Sequence, residues 1–211
     1  MQRISRFVSY LLIAGGVALL FLGARQVWEW HAGQIAAARN FHDFASSAPA
    51  PAGTGLPALP APHPGDAVAK LSIPRLDTQL YVVEGDSARE LRLGPGHLTG
   101  TAMPGGDGNC VIAGHRDTHF RILKDIRQGD DIVLKTRTGE YLYRVKSTHV
   151  VWPWNVSALQ PTPDAELHLI TCYPFYYVGA APKRFVVQAK LVGAVSDSAA
   201  APAAAATGTG S

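Results

Sequence analysis

Three segments of the chain carry side chains suited to acyl transfer. They are NCVIAGHRDTHF (109–120), LHLITCYPF (167–175) and YVGAAPKRFVV (177–187). Each contains an apolar run typical of a β-strand, with a reactive side chain at or near its end. A sheet holds such side chains rigidly toward a cleft, so the three segments are the first candidates for an active site.

Cys172 is the candidate nucleophile. It ends an alternating apolar run and is followed by Tyr173 and Pro174, so the predicted strand stops there and the thiol lies at its mouth. A free cysteine has a pKa near about 8.5, so acyl transfer needs a neighbour that takes or balances its proton. Histidine is the usual neighbour.

His115 and Arg184 could supply the other two functions. His115 follows a predicted strand that ends at Ala113 and Gly114, again at a strand mouth. Arg184 opens the last predicted strand with a permanent charge and a planar fork of N–H donors. Such a fork suits an oxyanion or a substrate carbonyl.

Each of these candidate residues also has a simpler, non-catalytic interpretation. A cysteine inside an apolar strand is more often a small core residue than a catalyst, and we predict this for Cys110. A single histidine or arginine at a strand end is usually solvated. A Cys110–Cys172 disulfide is also an alternative in an exported domain, and it would leave Cys172 without a free thiol to act as a nucleophile.

Composition narrows the function classes. The 211 residues allow one ordinary domain with extensions, and the formal charge of +3 comes from scattered basic residues, so no nucleic-acid partner is expected. Two cysteines without CxxC spacing predict neither a disulfide framework nor a zinc site. The sequence contains no calcium-type loop, and GDD (129–131) reads as a turn. We expect no metal and no cofactor.

The N-terminal segment predicts a membrane anchor. The stretch from Phe7 to Ala24 carries no charge and as a helix would span about 27 Å, close to a bilayer core. Arg3 and Arg6 precede it and Arg25 follows, a slight bias toward a cytoplasmic N-terminus. Residues 1–24 are therefore interpreted as a cytoplasmic stub and single-pass anchor. A cleaved signal peptide is the alternative, although no clean cleavage site follows.

The chain then divides into a spacer, a domain and a tail. Residues 25–66 read as a stalk helix, with Val27, Trp28, Ile35 and Phe41 as its apolar members, and a Pro/Gly-rich tether. Residues 195–211 are low-complexity, which predicts disorder. The chemistry must lie in the domain at 67–194, outside the cell if the N-terminus is cytoplasmic.

Short strands dominate this domain. Predicted strands lie at 68–73, 80–85, 109–114, 131–136, 141–151, 166–171 and 184–192, with short helices at 87–92 and 119–126. Because long helices do not alternate with the strands, the pattern predicts an all-β fold, a mostly antiparallel sheet closed as a barrel or paired as a sandwich.

The order and context of these segments resemble the sortases, membrane-anchored cysteine transpeptidases. The family's strand end T-L-x-T-C reads H-L-I-T-C here, so Thr171 and Cys172 match and His168 departs. The likeness includes LGPGHLTGTAMPGGDGNCVIAGHRDTHF and TCYPFYYVGAAPKRFVV and covers most of 68–193. The ending is most similar to class D and the related Gram-negative sortases.

The resemblance implies a fold, roles and partners. The fold would be an eight-stranded β-barrel with short helices, preceded by the membrane helix. Cys172 would be the nucleophile, His115 the acid and base, and Arg184 the oxyanion or carbonyl donor. The substrate would be a protein with an LPxTG-like signal, and the acceptor an amine of cell-wall peptide or of another molecule.

The resemblance is less definite for two further histidines. His97, in PGHLTG, is similar to a glycine-flanked histidine near the cleft of class D-like enzymes, and we interpret it as a substrate-binding residue. His168 should face the same way as Ile170 and Cys172, because side chains alternate along a strand. It either changes the pocket wall or reaches solvent.

Two other functions are alternatives for an exported, β-rich chain with a cysteine at a strand end. An L,D-transpeptidase is also an exported β-rich cysteine enzyme, but its S-x-G-C-x-R segment does not resemble the sequence from Thr171 to Pro174. A catalytically silent, membrane-tethered binding barrel would have no need to keep a cysteine, a histidine and an arginine together.

Overall fold

The computed structural model describes residues 2–46 and 61–195. The helices are α1 (Gln2–Ser46) and α2 (Glu90–Leu93). The strands are β1 (Ala67–Ile73), β2 (Thr78–Glu84), β3 (Gly96–His97), β4 (Asn109–Gly114), β5 (Asp131–Lys135), β6 (Glu140–Val151), β7 (Glu166–Tyr173) and β8 (Lys183–Val195). Three 3₁₀ segments add Pro74–Leu76, His119–Asp125 and Ser157–Leu159.

The eight strands form one closed barrel in the order β1-β2-β3-β4-β7-β8-β6-β5. Neighbouring strands are antiparallel, except that β2 pairs with β3, and β4 with β7, in parallel. The all-β, eight-stranded barrel expected from the sequence is therefore confirmed, and the sandwich alternative is wrong. Closure removes the exposed sheet edges that a sandwich would leave.

The core is formed by side chains at alternate positions along the strands. On β7, Leu167 and Leu169 are fully buried in the main apolar cluster, together with Cys110 and Ile112 of β4. Successive side chains of a strand point to opposite faces, so His168, Ile170 and Cys172 lie on the other face of β7. One face of β7 therefore packs the barrel core, and the opposite face can carry a site.

Three elements of the structure differ from those predicted from the sequence. Strand β3 was not predicted, because two residues are too few to show alternation. The predicted helix at 119–126 is a 3₁₀ segment, and the predicted helix at 87–92 is the short α2.

Helix α1 is continuous for 45 residues and does not break where the apolar stretch ends. It is long and apolar enough to span a membrane, with a mean hydropathy of 1.7 in its candidate span. Its residues near the barrel do not form a free stalk, since Ala37 and Phe41 are buried against Ala67 and Val83. Val27, Trp28 and Ile35 are exposed. The rest of the tether (47–60) and the tail from 196 lie outside the described residues.

A buried polar group braces β3. The Glu84 carboxylate lies 2.7 Å from Nδ1 of His97 and accepts a hydrogen bond of 2.8 Å from the Thr99 hydroxyl. Glu84 and His97 are almost wholly buried. Such a pair is costly to break, because removing one partner leaves the other buried without compensation.

We therefore expect Glu84→Ala to lower the free energy of unfolding by about 3 kcal/mol. Denaturant titration of the detergent-solubilised protein measures this change. Glu140→Ala removes a partly exposed carboxylate 3.9 Å from Lys135 and serves as the control, with little change expected. Equal midpoints for the two variants would contradict a stabilising role for the buried pair.

Candidate active site

The register of two parallel strands brings the candidate histidine and cysteine to the same end of the barrel. The last paired residues of β4 and β7 are Gly114 and Thr171. His115 and Cys172 are the next residues on the two strands, so both emerge at that end. On the other side of β7, Cys172 pairs directly with Arg184 of β8. The structure thus places Cys172 and Arg184 on the adjacent strands β7 and β8, and His115 directly after the end of β4, all at one rim.

The two cysteines have different surroundings. Cys172 is partly exposed at the rim, whereas Cys110 is buried in the core. Burial, with the nearby Glu84 charge, raises the pKa of the Cys110 thiol to about 12, so this thiol stays protonated. Both cysteines are free. The core assignment of Cys110 is confirmed, and the two sulfurs are not bonded to each other.

Arg184 is held by backbone oxygens. One terminal nitrogen of its guanidinium donates to the carbonyls of Lys183 (3.0 Å) and Ala181 (3.3 Å). Within residues 61–195 no carboxylate pairs with it. A half-buried guanidinium that is oriented but not neutralised can donate its remaining N–H groups to an oxygen on which negative charge develops.

The backbone at His115 is fixed from inside the barrel. The Phe120 N–H donates to the His115 carbonyl at 2.9 Å, and Phe120 is fully buried. A Cβ on Gly114 would lie 2.7 Å from the Phe120 ring, so only glycine allows this packing. The Thr171 hydroxyl also donates to the Gly114 carbonyl at 2.7 Å. These contacts set the direction in which the chain enters His115.

Arg116 ties the same loop to the β7–β8 connection. Its guanidinium donates to the carbonyls of Pro174 (3.2 Å), Tyr177 (2.9 Å) and Gly179 (2.9 Å). The connection that follows Cys172 is thereby linked to the loop that carries His115. No role for Arg116 was predicted from the sequence. The only available signal was its position beside His115 in HRDTHF.

His119 lies behind His115. It is 3% exposed, and burial lowers its pKa from 6.5 to about 4, with the nearby His115 acting in the same direction and Asp117 opposing. The ring is therefore neutral at physiological pH. A proton on His119 would place a positive charge beside His115.

The buried neutral His119 makes stability pH-dependent. Unfolded, it binds a proton near its ordinary pKa of 6.5, whereas the folded protein resists protonation until about 4. Between these values the unfolded state holds more protons, so the free energy of unfolding falls as pH drops, by about 3 kcal/mol at most. Denaturation midpoints between pH 7.5 and 4.5 measure the fall. We expect His119→Phe to show a smaller fall, and parallel curves would contradict the assignment.

His97 lies inside the barrel wall and not at an open surface. It is 1% exposed, and Nε2 lies 3.0 Å from the Ala102 carbonyl while Nδ1 faces Glu84. Both ring nitrogens are thus occupied, and direct contact with a substrate would require this network to open. Its assignment as a substrate-binding residue stays a prediction.

His168 forms part of a pocket wall and does not reach solvent. It is 5% exposed and lines a cavity of about 390 Å³ together with His149, Glu166 and Gln188. Its Nδ1 has no hydrogen-bond partner among the described residues. Burial lowers the pKa of His168, although the Glu166 carboxylate 3.9 Å away opposes this. His168 is therefore a pocket-wall residue on β7.

No metal-binding arrangement is found in residues 2–46 and 61–195, where no three His, Cys, Asp or Glu side chains are grouped to hold an ion. A cysteine nucleophile with a histidine and an arginine needs no such group, because sulfur supplies the electron pair and the imidazole carries the proton. The expectation of a cofactor-free enzyme stays a prediction.

Comparisons with known proteins identify the family. A family model described as Sortase domain matches residues 71–192. Sortase D of Bacillus subtilis is 39% identical over 132 residues, covering 62% of this chain and 67% of that protein. Sortase SrtE1 of Streptomyces coelicolor is 32% identical, covering 89% of this chain and 57% of that protein.

Solved structures share the barrel. A Clostridium perfringens Sortase D5 transpeptidase has a TM-score of 0.62 at 25% identity and covers 78% of this chain and 99% of its own. The catalytic domain of Bacillus anthracis SrtD has a TM-score of 0.57 at 32% identity, covering 68% and 99%. The resemblance to class D sortases is confirmed, and the L,D-transpeptidase alternative is wrong. This chain belongs to the sortase family and is a sortase-type cysteine transpeptidase.

Proposed function

We propose that the chain is a membrane-anchored transpeptidase that cleaves an LPxTG-like sorting signal through a thioester on Cys172 and transfers the acyl group to an amine. The observation that carries the proposal is the register of β4, β7 and β8, which brings His115, just after β4, to the same rim as Cys172 and Arg184. Cys172 is the partly exposed thiol there, and Cys110 is sealed in the core.

The first half-reaction forms the thioester. The Cys172 sulfur attacks the carbonyl carbon of the signal's threonine, the thiol proton passes to His115, and the carbonyl electron pair moves onto oxygen. Arg184 and backbone N–H groups stabilise this oxyanion. The oxyanion then collapses, the C–N bond breaks, and His115 donates a proton to the departing amine.

The second half-reaction reverses these roles. An incoming amine attacks the thioester carbonyl and His115 takes a proton from that amine. The C–S bond then breaks, and the proton passes to the departing sulfur to restore the Cys172 thiol. The product carries a new amide bond. An amine of cell-wall peptide or of another surface molecule is the proposed acceptor.

The proposed location follows from helix α1. Its apolar span would cross the membrane once, with Arg3 and Arg6 of the sequence on the cytoplasmic side. The barrel would then lie outside the cytoplasmic membrane, where exported proteins and envelope amines are available. Tagging each end of the chain with a compartment-specific reporter tests this topology.

The activity test uses the full chain in detergent micelles with an LPxTG-type peptide and an amine such as a short oligoglycine. We expect mass spectrometry to find both cleavage after the threonine and the peptide joined to the amine. Omitting the amine should leave only slow hydrolysis. Failure to process this peptide, together with cleavage of an unrelated peptide from a library, would refute the LPxTG-like specificity.

Arg184→Lys separates charge from geometry. Lysine keeps the positive charge but lacks the planar fork that bonds Lys183 and Ala181 and also reaches the site. We expect kcat to fall about 10²- to 10³-fold, the usual effect of losing an oxyanion donor. Lys190→Arg, an exposed change on the same strand, is the control. Near wild-type kcat in Arg184→Lys would show that charge alone suffices.

A further inference from the structure

Helix α1 turns one face to the barrel between Trp30 and Phe41. The residues of this face recur three or four apart, as neighbours on one side of a helix do, and they are Trp30, Gly33, Gln34, Ala37 and Phe41. Gly33 passes so close to α2 that a Cβ on it would lie 2.8 Å from the Leu93 Cα. The contact therefore requires glycine and fixes the helix tightly against Leu93.

Gln34 adds a hydrogen-bonded clamp to this docked face. Its amide nitrogen donates to the carbonyls of Leu93 (2.8 Å) and Tyr81 (3.2 Å), and its amide oxygen accepts from the Tyr81 N–H at 2.8 Å. Three bonds from one side chain to barrel backbone specify both the height and the rotation of the helix. The segment that continues into the apolar span is thus fixed on the barrel wall.

At the membrane-proximal end of this face, Trp30 packs on His119. The two rings meet edge to face with centroids 5.9 Å apart. Trp30 Nε1 and His119 Nε2 are both buried, and neither has a hydrogen-bond partner in the described part of the chain. An indole N–H can only donate, and a neutral imidazole accepts through the nitrogen that lacks the proton. The two unpaired groups are chemically complementary in the tautomer that carries the proton on Nδ1, where Nδ1 faces the Thr118 hydroxyl at 3.3 Å.

The Trp30–His119 contact is the third contact that holds the loop carrying His115. Arg116 holds the loop to the β7–β8 connection, and Phe120 holds it from the core. On the remaining side, His115 and Trp30 line a common cavity of about 430 Å³. The His115 side chain is itself exposed, so its position depends on the backbone that these three contacts hold.

We propose that Trp30 is a positioning residue that holds the His115 loop through His119, so that the membrane helix forms one wall of the catalytic unit. The inference rests on the proposed role of His115 as acid and base. It gives the docked face of α1 a function beyond tethering. Displacing the helix would change the reaction even with Cys172, His115 and Arg184 intact.

The inference carries a distinct pH signature. Without Trp30, His119 is hydrated, its pKa returns toward the ordinary value, and a positive charge develops beside His115 in mild acid. Two acidic groups, Asp117 and Glu29, lie near His119, and the Glu29 carboxylate is already paired with Arg25 at 2.8 Å. The charged and titratable groups around His119 are His115 and Asp117 in its loop, Arg25, Glu29 and His31 on α1, and Arg92 on α2.

The test compares Trp30→Ala with Trp28→Ala in the full-length protein in micelles. Trp28 is 75% exposed on the same helix and is a matched control. For Trp30→Ala we expect kcat to fall about 10- to 100-fold with an unchanged KM for the peptide, and the pH profile of kcat to shift to lower pH. Trp28→Ala should match wild type, and Trp30→Phe, which keeps a ring on His119, should retain most activity.

A second variant displaces the helix without touching Trp30. Gly33→Val places atoms against the Leu93 backbone and should reproduce the loss and the shifted profile. No loss in Trp30→Ala, or a loss without a shift of the pH profile, overturns the inference. An inactive wild type would instead refute the proposed function, so the two failures are distinguishable.

Discussion

Cys172→Ala is expected to abolish both cleavage and transfer, lowering turnover by at least about 10⁴-fold, to the detection limit. Without the sulfur no thioester forms, and the remaining His115 and Arg184 have no acyl group to transfer. Turnover of an LPxTG-type peptide, followed by mass spectrometry, measures the loss. Stability should change little, because Cys172 is partly exposed at the rim.

Cys110→Ala is the matched control for this experiment. Cys110 is buried, and its raised pKa of about 12 keeps the thiol protonated, so its removal should leave the chemistry intact. A thiol-reactive probe should likewise label Cys172 and spare Cys110. Full turnover in Cys172→Ala would refute the assignment of the nucleophile. An unreactive Cys172 thiol would favour a silent binding barrel.

His115→Ala has the second-largest expected effect, a fall in kcat of about 10²- to 10⁴-fold. The departing amine leaves poorly without a proton, and the incoming amine attacks poorly while it keeps one. Because both steps need the imidazole, cleavage and transfer should fall together. Kinetics with and without an amine acceptor measure the two steps separately.

His63→Ala is the control for this variant, since the His63 side chain is 85% exposed and its one ion pair among the described residues is with Asp66. An activated substrate with a better leaving group should partly rescue cleavage in His115→Ala, because such a group departs without protonation. A His115→Ala enzyme with normal kcat would place the acid and base elsewhere.

Much of the fold could be predicted because its strands alternate strongly. On β7, Leu167 and Leu169 face the core while His168 and Cys172 face outward, and this period of two is visible in the sequence. Proline after Tyr173 marked the end of the strand. The three candidate residues could be found at strand ends before their proximity was known, and the family resemblance supplied their order.

Other features had no sequence signal. The parallel pairing that aligns Gly114 with Thr171 depends on chain crossings that local patterns do not encode. The docked face of α1 was missed because Gly33 and Gln34 are not apolar, and their contacts are a close backbone approach and side chain to backbone hydrogen bonds. The periodicity of that segment was therefore assigned to a stalk.

The most direct measurement is the intact mass of the enzyme after brief reaction with an LPxTG-type peptide in the absence of an amine. The expected result is a mass increase equal to the peptide up to its threonine, located on Cys172 by peptide mapping and removed by hydroxylamine, as a thioester requires. Product formation without this adduct, or an adduct on another residue, would contradict thioester catalysis at the rim of the barrel.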